Sequence, residues 1–288
     1  MFQKLVSLVI DYANDDFSVA SEKLDNFVSN ADDFEDIVLQ IGAIPESIAH
    51  DSTEEKLFSK VSDAVLSRAF RELGLKSKVL TERANSADVI AKSMFHNYTL
   101  VADAKAFRLS RTAKNQKDFK VKSLSDWRKD ENYAVLCSPY FQYPQRQSQI
   151  YAQSVDNNVC LFSWEHILFL LKHKIKENEC IDLSVLWNFG EFKAKTTLVY
   201  KKNVSFIREF DAACVLLAGA SQSDFGKLLD NCIVKFKDRA TTEKAYWETE
   251  RKTIETYSRK QAIDELIKNK KIVEKMQQID LYIKRISR

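Results

Sequence analysis

Apolar positions recur at helical spacing towards both ends of this chain and at strand spacing in its middle. Leu5, Leu8 and Val9, then Phe34, Ile37, Val38 and Ile41, alternate with acidic residues and predict two or three helices over residues 1–50, ended by Gly42 and Pro45. Leu57, Val61, Val65, Ala69 and Leu73 step by four and predict one longer helix from about Thr53, stopped by Gly74. Two short strands follow, over residues 87–91 and 98–107. A polar helix ending near Trp127 comes next, then a strand at Tyr133–Cys137, a polar loop with aromatics over 139–158, and a strand at Val159–Phe162. Ser163 is placed to cap a helix running through Leu171. Beyond Leu183 the pattern is helical, with stripes such as Tyr246, Trp247, Ile254, Tyr257, Ile263, Leu266, Ile267 and Ile272. Helices alternating with strand pairs predict an α/β core with a mixed sheet. The expected division is an acidic helical region over 1–50, a core over 51–190 and a helical region over 191–288, all in one compact unit.

Composition narrows this reading. Only 5 Gly and 3 Pro in 288 residues argue against a turn-rich β-sandwich, and 18 Phe suffice for a sizeable core. Five cysteines, an odd number with no C-x-x-C pair, argue against a disulfide scaffold. No leader and no apolar run long enough to span a bilayer is read, so the expectation is a cytoplasmic protein without a membrane. The net charge of +3 conceals its distribution. Residues 1–50 hold two cations against ten carboxylates, whereas 105–122 hold seven cations against Asp118 alone. Lys105, Arg108, Arg111, Lys114, Lys117 and Lys120 recur every third residue, and acids to pair with them are nearly absent. A solvated face is the ordinary meaning of such a run; a bound polyanion is the alternative.

The cationic run begins beside two carboxylates. Strand side chains alternate, so Asp103 and Lys105 point the same way, and Asp88 joins them if the two strands pair. Two carboxylates and an ammonium suit a divalent cation and phosphodiester hydrolysis. Asp-X-Lys is common, however, and a turn aspartate beside a surface ion pair explains it equally well. His96-Asn97 lacks the second histidine of an HNH nuclease, and His166 and His173 read as core-edge residues. Trp164, Phe141 and Tyr143 suit base stacking or, more simply, the core. No H-E-x-x-H, G-x-S-x-G or Walker loop is present.

The spacing of Asp88 and Asp103-Ala104-Lys105 behind an acidic helix start (Ser52 to Lys60) resembles the PD-(D/E)xK nucleases. The stretches Leu100 to Lys122, Tyr133 to Leu136, Phe141 to Pro144 and Leu161 to His166 resemble the HindIII-type restriction endonucleases in particular. Weaker likeness continues at Leu186 to Phe189 and Glu243 to Trp247. One departure is Ala87, where the wider superfamily carries proline before the first aspartate.

The resemblance implies a restriction-endonuclease-like core and Mg²⁺ held by Asp88, Asp103 and the carbonyl of Ala104, with Lys105 activating water. Glu55 has two readings: an acid aimed at the metal, as on the preceding helix of many such nucleases, or half of a capping box with Ser52. Arg108, Arg111, Lys114, Lys117, Lys120 and Lys122 are expected to face double-stranded DNA, Arg111 and Lys114 on phosphates. Asn115, Gln116, Lys117 and Asp118 carry the group types that read base edges; Asp118 is alternatively a partner for Lys105. The resemblance further implies the palindrome AAGCTT, a homodimer, and a cognate methyltransferase as genetic companion. A repair or junction-resolving nuclease, or a DNA-binding protein without catalysis, are the competing readings. Asn115→Ala and Asp118→Ala are expected to lower discrimination against near-cognate sites by about 1–3 kcal/mol per lost bidentate contact, measured as the ratio of cleavage rates on cognate and one-base-altered duplexes.

Overall fold

Part of the negative charge of the first fifty residues is used to start helices. These residues fold as α1 (Phe2–Asp11), α2 (Phe17–Ser29) and α3 (Phe34–Ile41). The Asp16 carboxylate accepts the N–H groups of Ser18 and Val19, and Asp33 accepts that of Asp36. Leu5, Val9, Ile37, Val38 and Ile41 are buried, as their spacing predicts. These features belong to a computed structural model that describes residues 1–80, 86–111, 116–144, 148–196 and 205–286.

The long helix α4 (Thr53–Glu72) is capped by Ser52, whose hydroxyl accepts the Glu55 N–H. Gly74 ends it at φ +94°, where an added Cβ would lie 2.9 Å from the backbone of Glu177. From Val61 to Ser67 every residue of α4 is buried, Asp63 included.

The strands are β1 (Ala43–Ile44), β2 (Lys76–Val79), β3 (Val89–Lys92), β4 (Thr99–Ala104), β5 (Phe107–Arg108), β6 (Tyr133–Ser138) and β7 (Val159–Ser163). Five of them form a sheet in the order β2-β3-β4-β6-β7. The pairs β2/β3 and β3/β4 are antiparallel, while β4/β6 and β6/β7 are parallel. The sheet is therefore mixed, and its parallel half reads as apolar runs because β6 and β7 are almost wholly buried. The two-residue strands β1 and β5 pair parallel beside it, Ala43 opposite Phe107. Helix α4 packs across β2, β3 and β4.

The remaining helices are α5 (Gln116–Phe119), α6 (Val121–Trp127), α7 (Gln149–Asp156), α8 (Trp164–Lys172), α9 (Ser184–Trp187), α10 (Phe189–Thr196), α11 (Ser205–Leu217), α12 (Gln222–Glu255), α13 (Arg259–Asn269) and α14 (Ile272–Ile286). The α/β class with helical additions is borne out. The strand expected over 98–107 is interrupted, β4 ending at Ala104 and β5 resuming at Phe107, and β1 lies where a break was expected. Two further elements also depart from the pattern read in the sequence. Strand β2 is an edge of alternately exposed and half-buried residues, Lys76-Ser77-Lys78-Val79, so it carries no apolar alternation to detect. Helix α7 occupies a stretch expected to be loop; the Ser148 hydroxyl accepts the Ile150 N–H, and the helix buries Ile150, Tyr151 and Val155.

The chain divides into two units, Met1–Arg239 and Ala240–Arg288. In the second, Leu266, Val273, Met276, Ile279 and Tyr282 are exposed. Among the described residues no helix is long and apolar enough to cross a membrane.

His166 is a core residue. It is fully buried, Nδ1 lies 2.8 Å from the Ser163 hydroxyl, and Nε2 lies 2.8 Å from Asp211. Tyr140 donates its hydroxyl to the same Asp211 at 2.8 Å, tying α11 to the sheet end. Tyr143 is also core, donating to the Phe162 carbonyl at 2.6 Å. Beside them Glu165 is buried, its Oε2 accepting the Tyr140 N–H at 2.9 Å. Burial pushes its carboxyl up to about 7, against an ordinary 4.5. A raised acid binds its proton more tightly folded than unfolded, so the cost of ionising it is absent below the unfolded value and complete above the folded one. Glu165→Gln is accordingly expected to gain in melting temperature relative to the parent as pH rises from 5 to 8. The shift corresponds to roughly 3 kcal/mol at most, and thermal melts at the two pH values measure it.

Candidate active site

The β3–β4 register places two aspartates face to face. Val89 pairs with Ala102, and continuing by one residue sets Asp88 opposite Asp103. The Leu80 N–H donates to the Asp88 carbonyl at 2.7 Å, so β2 holds the backbone of Asp88 from the other side. The turn joining β3 to β4 is pinned as well. The Ser93 hydroxyl accepts the N–H groups of Phe95 and His96, and Ser93 and Tyr98 both donate to the buried Glu177. His96 lies 3.0 Å from the Asn178 carbonyl, a structural use that leaves nothing of an HNH site.

A third carboxylate comes from α4. Oxygens of Asp63, Asp88 and Asp103 lie within 4.8 Å of one another. Asp63 and Asp103 are buried, whereas the Asp88 side chain is 38% exposed, so the cluster opens to solvent at Asp88. Burial raises the Asp63 carboxyl well above the usual range, and repulsion from Asp88 and Asp103 raises it further. Burial also raises Asp103, against the pull of the Lys105 ammonium, which hydrogen-bonds its carboxylate. Lys60, one turn before Asp63 on α4, lies 3.3 Å from Asp88 and 3.6 Å from Asp63. Three clustered oxygen donors, two of them buried, are the set that a hard divalent cation fits.

Asp63 was not anticipated from the sequence, although one signal was available. In Val61-Ser62-Asp63-Ala64-Val65-Leu66-Ser67 it is the only charge, and a lone carboxylate amid apolar and small residues is either paired or functional.

The backbone after Asp103 is held on every side. The Lys105 N–H donates to the Cys137 carbonyl at 2.7 Å, the Trp164 indole donates to the Lys105 carbonyl at 3.1 Å, and the Phe107 N–H donates to the Gly42 carbonyl at 2.9 Å. Gly42 leaves room for this indole, since a Cβ there would meet Trp164 Cδ1 at 2.7 Å. Trp164 is thus buried as structure, the simpler of its two readings.

Asp88, Asp103, Ala104 and Lys105 are brought together, but Glu55 is not among them. It stands eight residues before Asp63, roughly 12 Å along the helix. Its carboxylate takes Arg108 at 2.6 Å, the Asp51 N–H at 2.8 Å and the His50 ring at 3.0 Å. Burial alone would raise this carboxyl; the Asp51 N–H and Arg108 outweigh that and hold it below the usual range. The capping geometry is half that of a box, because Ser52 serves Glu55 while Glu55 bonds back to Asp51.

The cationic segment separates into distinct uses. Arg108 is turned inward, bonded to Glu55 and to the Pro45 carbonyl at 3.0 Å. Arg111 is 62% exposed and pairs with Asp118 at 2.9 Å. Lys117, Lys120 and Lys122 are exposed. Lys114 and Asn115 lie outside the described residues, and Gln116 opens α5. Among the described residues the three-residue period therefore passes from a strand into two short helices, and Arg108 does not share the exposure of Lys117, Lys120 and Lys122.

Comparison with known proteins is consistent with this geometry. A family model described as HindIII restriction endonuclease matches residues 1–282. The chain is also 44% identical over 286 residues to the type II restriction enzyme HindIII of Haemophilus influenzae, covering 99% of this chain and 95% of that relative. The class is thereby defined as a type II restriction endonuclease, a site-specific nuclease whose partner is DNA. Within that class the chain belongs to the HindIII restriction endonuclease family. The resemblance read from residues 52–166 is borne out over nearly the whole length.

Asp63 and Glu55 are separable by experiment. Asp63→Asn is expected to lower the cleavage rate roughly a hundredfold or more while leaving the melting temperature at pH 7 equal or higher, because it removes a repelled buried carboxylate. Glu55→Gln is expected to cost about 3 kcal/mol of stability by stranding Arg108, with the smaller effect on cleavage. Single-turnover rates and denaturant melts of the two variants check both.

Proposed function

We propose that this chain makes Mg²⁺-dependent double-strand cuts at the palindrome AAGCTT, leaving 5′-phosphates, and that it works as a homodimer in the cytoplasm beside a cognate methyltransferase. The observation that carries the catalytic part is the convergence of Asp63, Asp88 and Asp103 with Lys105 at one end of the β3–β4 hairpin.

In this reading Asp88, Asp103 and the Ala104 carbonyl hold the cation, and Asp63 stands where an acid on the preceding helix was expected. Bound Mg²⁺ supplies Lewis-acid polarisation of the phosphoryl oxygen and a more acidic water. Lys105 keeps its ammonium at the Asp103 edge of the cluster, where it orients the attacking water and offsets charge gathering on the phosphorane-like transition state. Asp103, buried and bonded to that ammonium, fixes its direction. Glu55 and Arg108 brace the start of α4 against β5, the strand that follows Lys105, so α4 and the chain leaving β4 keep their spacing.

DNA recognition falls to the segment after β5. Exposed Arg111, Lys117, Lys120 and Lys122 suit phosphates, with Lys114 between them in sequence. Asn115, Gln116, Lys117 and Asp118 are proposed for base edges, with the Arg111–Asp118 pair opening or re-forming against the duplex. A palindrome implies two-fold symmetry, with one active site for each strand. The exposed apolar residues of α13 and α14 are available for such an assembly. Four of the five cysteines are buried and none is bonded to another, which suits a reducing compartment.

Digestion of a plasmid of known sequence, followed by sequencing of the ends, tests the specificity. Discrete fragments that end within AAGCTT and vanish when EDTA replaces Mg²⁺ are expected; cuts elsewhere or undiminished cutting in EDTA refute the respective parts. Asp103→Asn is expected to lose cleavage while retaining duplex binding in a gel-shift assay, and undiminished cleavage would refute the assignment.

A further inference from the structure

Each strand aspartate of the cluster has a lysine of its own. Lys105 serves Asp103, and Lys60 serves Asp88. Lys60 arrives from α4, three residues before Asp63, and its ammonium lies 3.3 Å from Asp88, 3.6 Å from Asp63 and 3.5 Å from the Leu80 carbonyl. It is 27% exposed, more open than Lys105 at 17%. Leu80 in turn bonds its N–H to the Asp88 carbonyl. The lysine therefore grips the backbone that carries Asp88 as well as two of the three carboxylates.

With all groups ionised, three carboxylates and two ammoniums leave the cluster one negative charge. A divalent ion entering at Asp88 meets an ammonium already bonded to the oxygens it needs, and repulsion between the two cations is strongest where water is scarce. A DNA phosphate brings back the negative charge that Lys60 has offset.

We infer that Lys60 is a positioning residue that lowers the affinity of the DNA-free site for divalent cations, so that metal and DNA bind cooperatively. This rests on the metal reading of the Asp63–Asp88–Asp103 cluster. By linkage, whatever Lys60 contributes to the dependence of metal affinity on DNA it contributes equally to the dependence of DNA affinity on metal.

The test is calorimetric titration of Ca²⁺ into the DNA-free full-length protein, compared with duplex-binding titrations with and without Ca²⁺. Lys60→Gln is expected to bind Ca²⁺ at least fivefold more tightly than the parent, and to show a smaller Ca²⁺-dependent gain in duplex affinity. Lys60→Arg, which keeps the charge, should stay within about twofold of the parent. Lys60→Met keeps the aliphatic stem and serves as the second neutral variant should the glutamine disturb folding. Neutral variants that bind Ca²⁺ no better than a Ca²⁺-binding parent would overturn the role of Lys60 alone. A parent that binds no Ca²⁺ with or without duplex would overturn the metal reading, and this inference with it.

Discussion

Oxygens of Asp63, Asp88 and Asp103 are held within 4.8 Å of one another, and two of these residues are buried. Like charges at such a distance repel by about 4 kcal/mol in a medium of intermediate dielectric. An isolated helix or hairpin would not keep them together. Their proximity is a cost that the rest of the fold must meet, and much of the core around the site is arranged to meet it.

The arrangement has three parts. The β3–β4 ladder fixes the two strand aspartates, with the Ser93–Tyr98–Glu177 bonds closing its turn. Helix α4, buried on all sides from Val61 to Ser67, forces Asp63 onto that ladder because no alternative exposure is open to it. Behind these, Trp164, Gly42 and the Glu55–Arg108 pair lock the backbone that follows Lys105. Lys60 and Lys105 lower the repulsion, each ammonium lying against carboxylates of the cluster. Carboxylates held this close at one end of a sheet are a set that a hard divalent cation fits.

The basic surface follows a different logic. Its three-residue period suggests a single face, yet Arg108 is spent inside the protein and Arg111 shares its charge with Asp118. Lys117, Lys120 and Lys122 keep theirs exposed. Charge spacing in sequence counts cations but does not say which of them are already paired, since pairing depends on residues such as Glu55, 53 positions away in the chain.

The sequence by itself determined the elements whose signals are local. The stops at Gly74 and Gly42, the caps at Ser52 and Ser163, and the apolar runs of β6 and β7 follow from side-chain size, spacing and backbone freedom. The Asp88 and Asp103-Ala104-Lys105 pattern is local in the same sense, because two adjacent strands with a short turn have one plausible pairing. Strand β2 and helix α7 leave no local signal, because an edge strand rich in lysine and a short helix among polar residues lack the period that burial imposes. Only the tertiary structure decided which acid of α4 joins the cluster. Glu55 and Asp63 lie on one helix, and both are acids a site could use. The crossing of α4 over β4 brings Asp63 to the carboxylates and leaves Glu55 to Arg108, a choice set by packing between elements far apart in the chain.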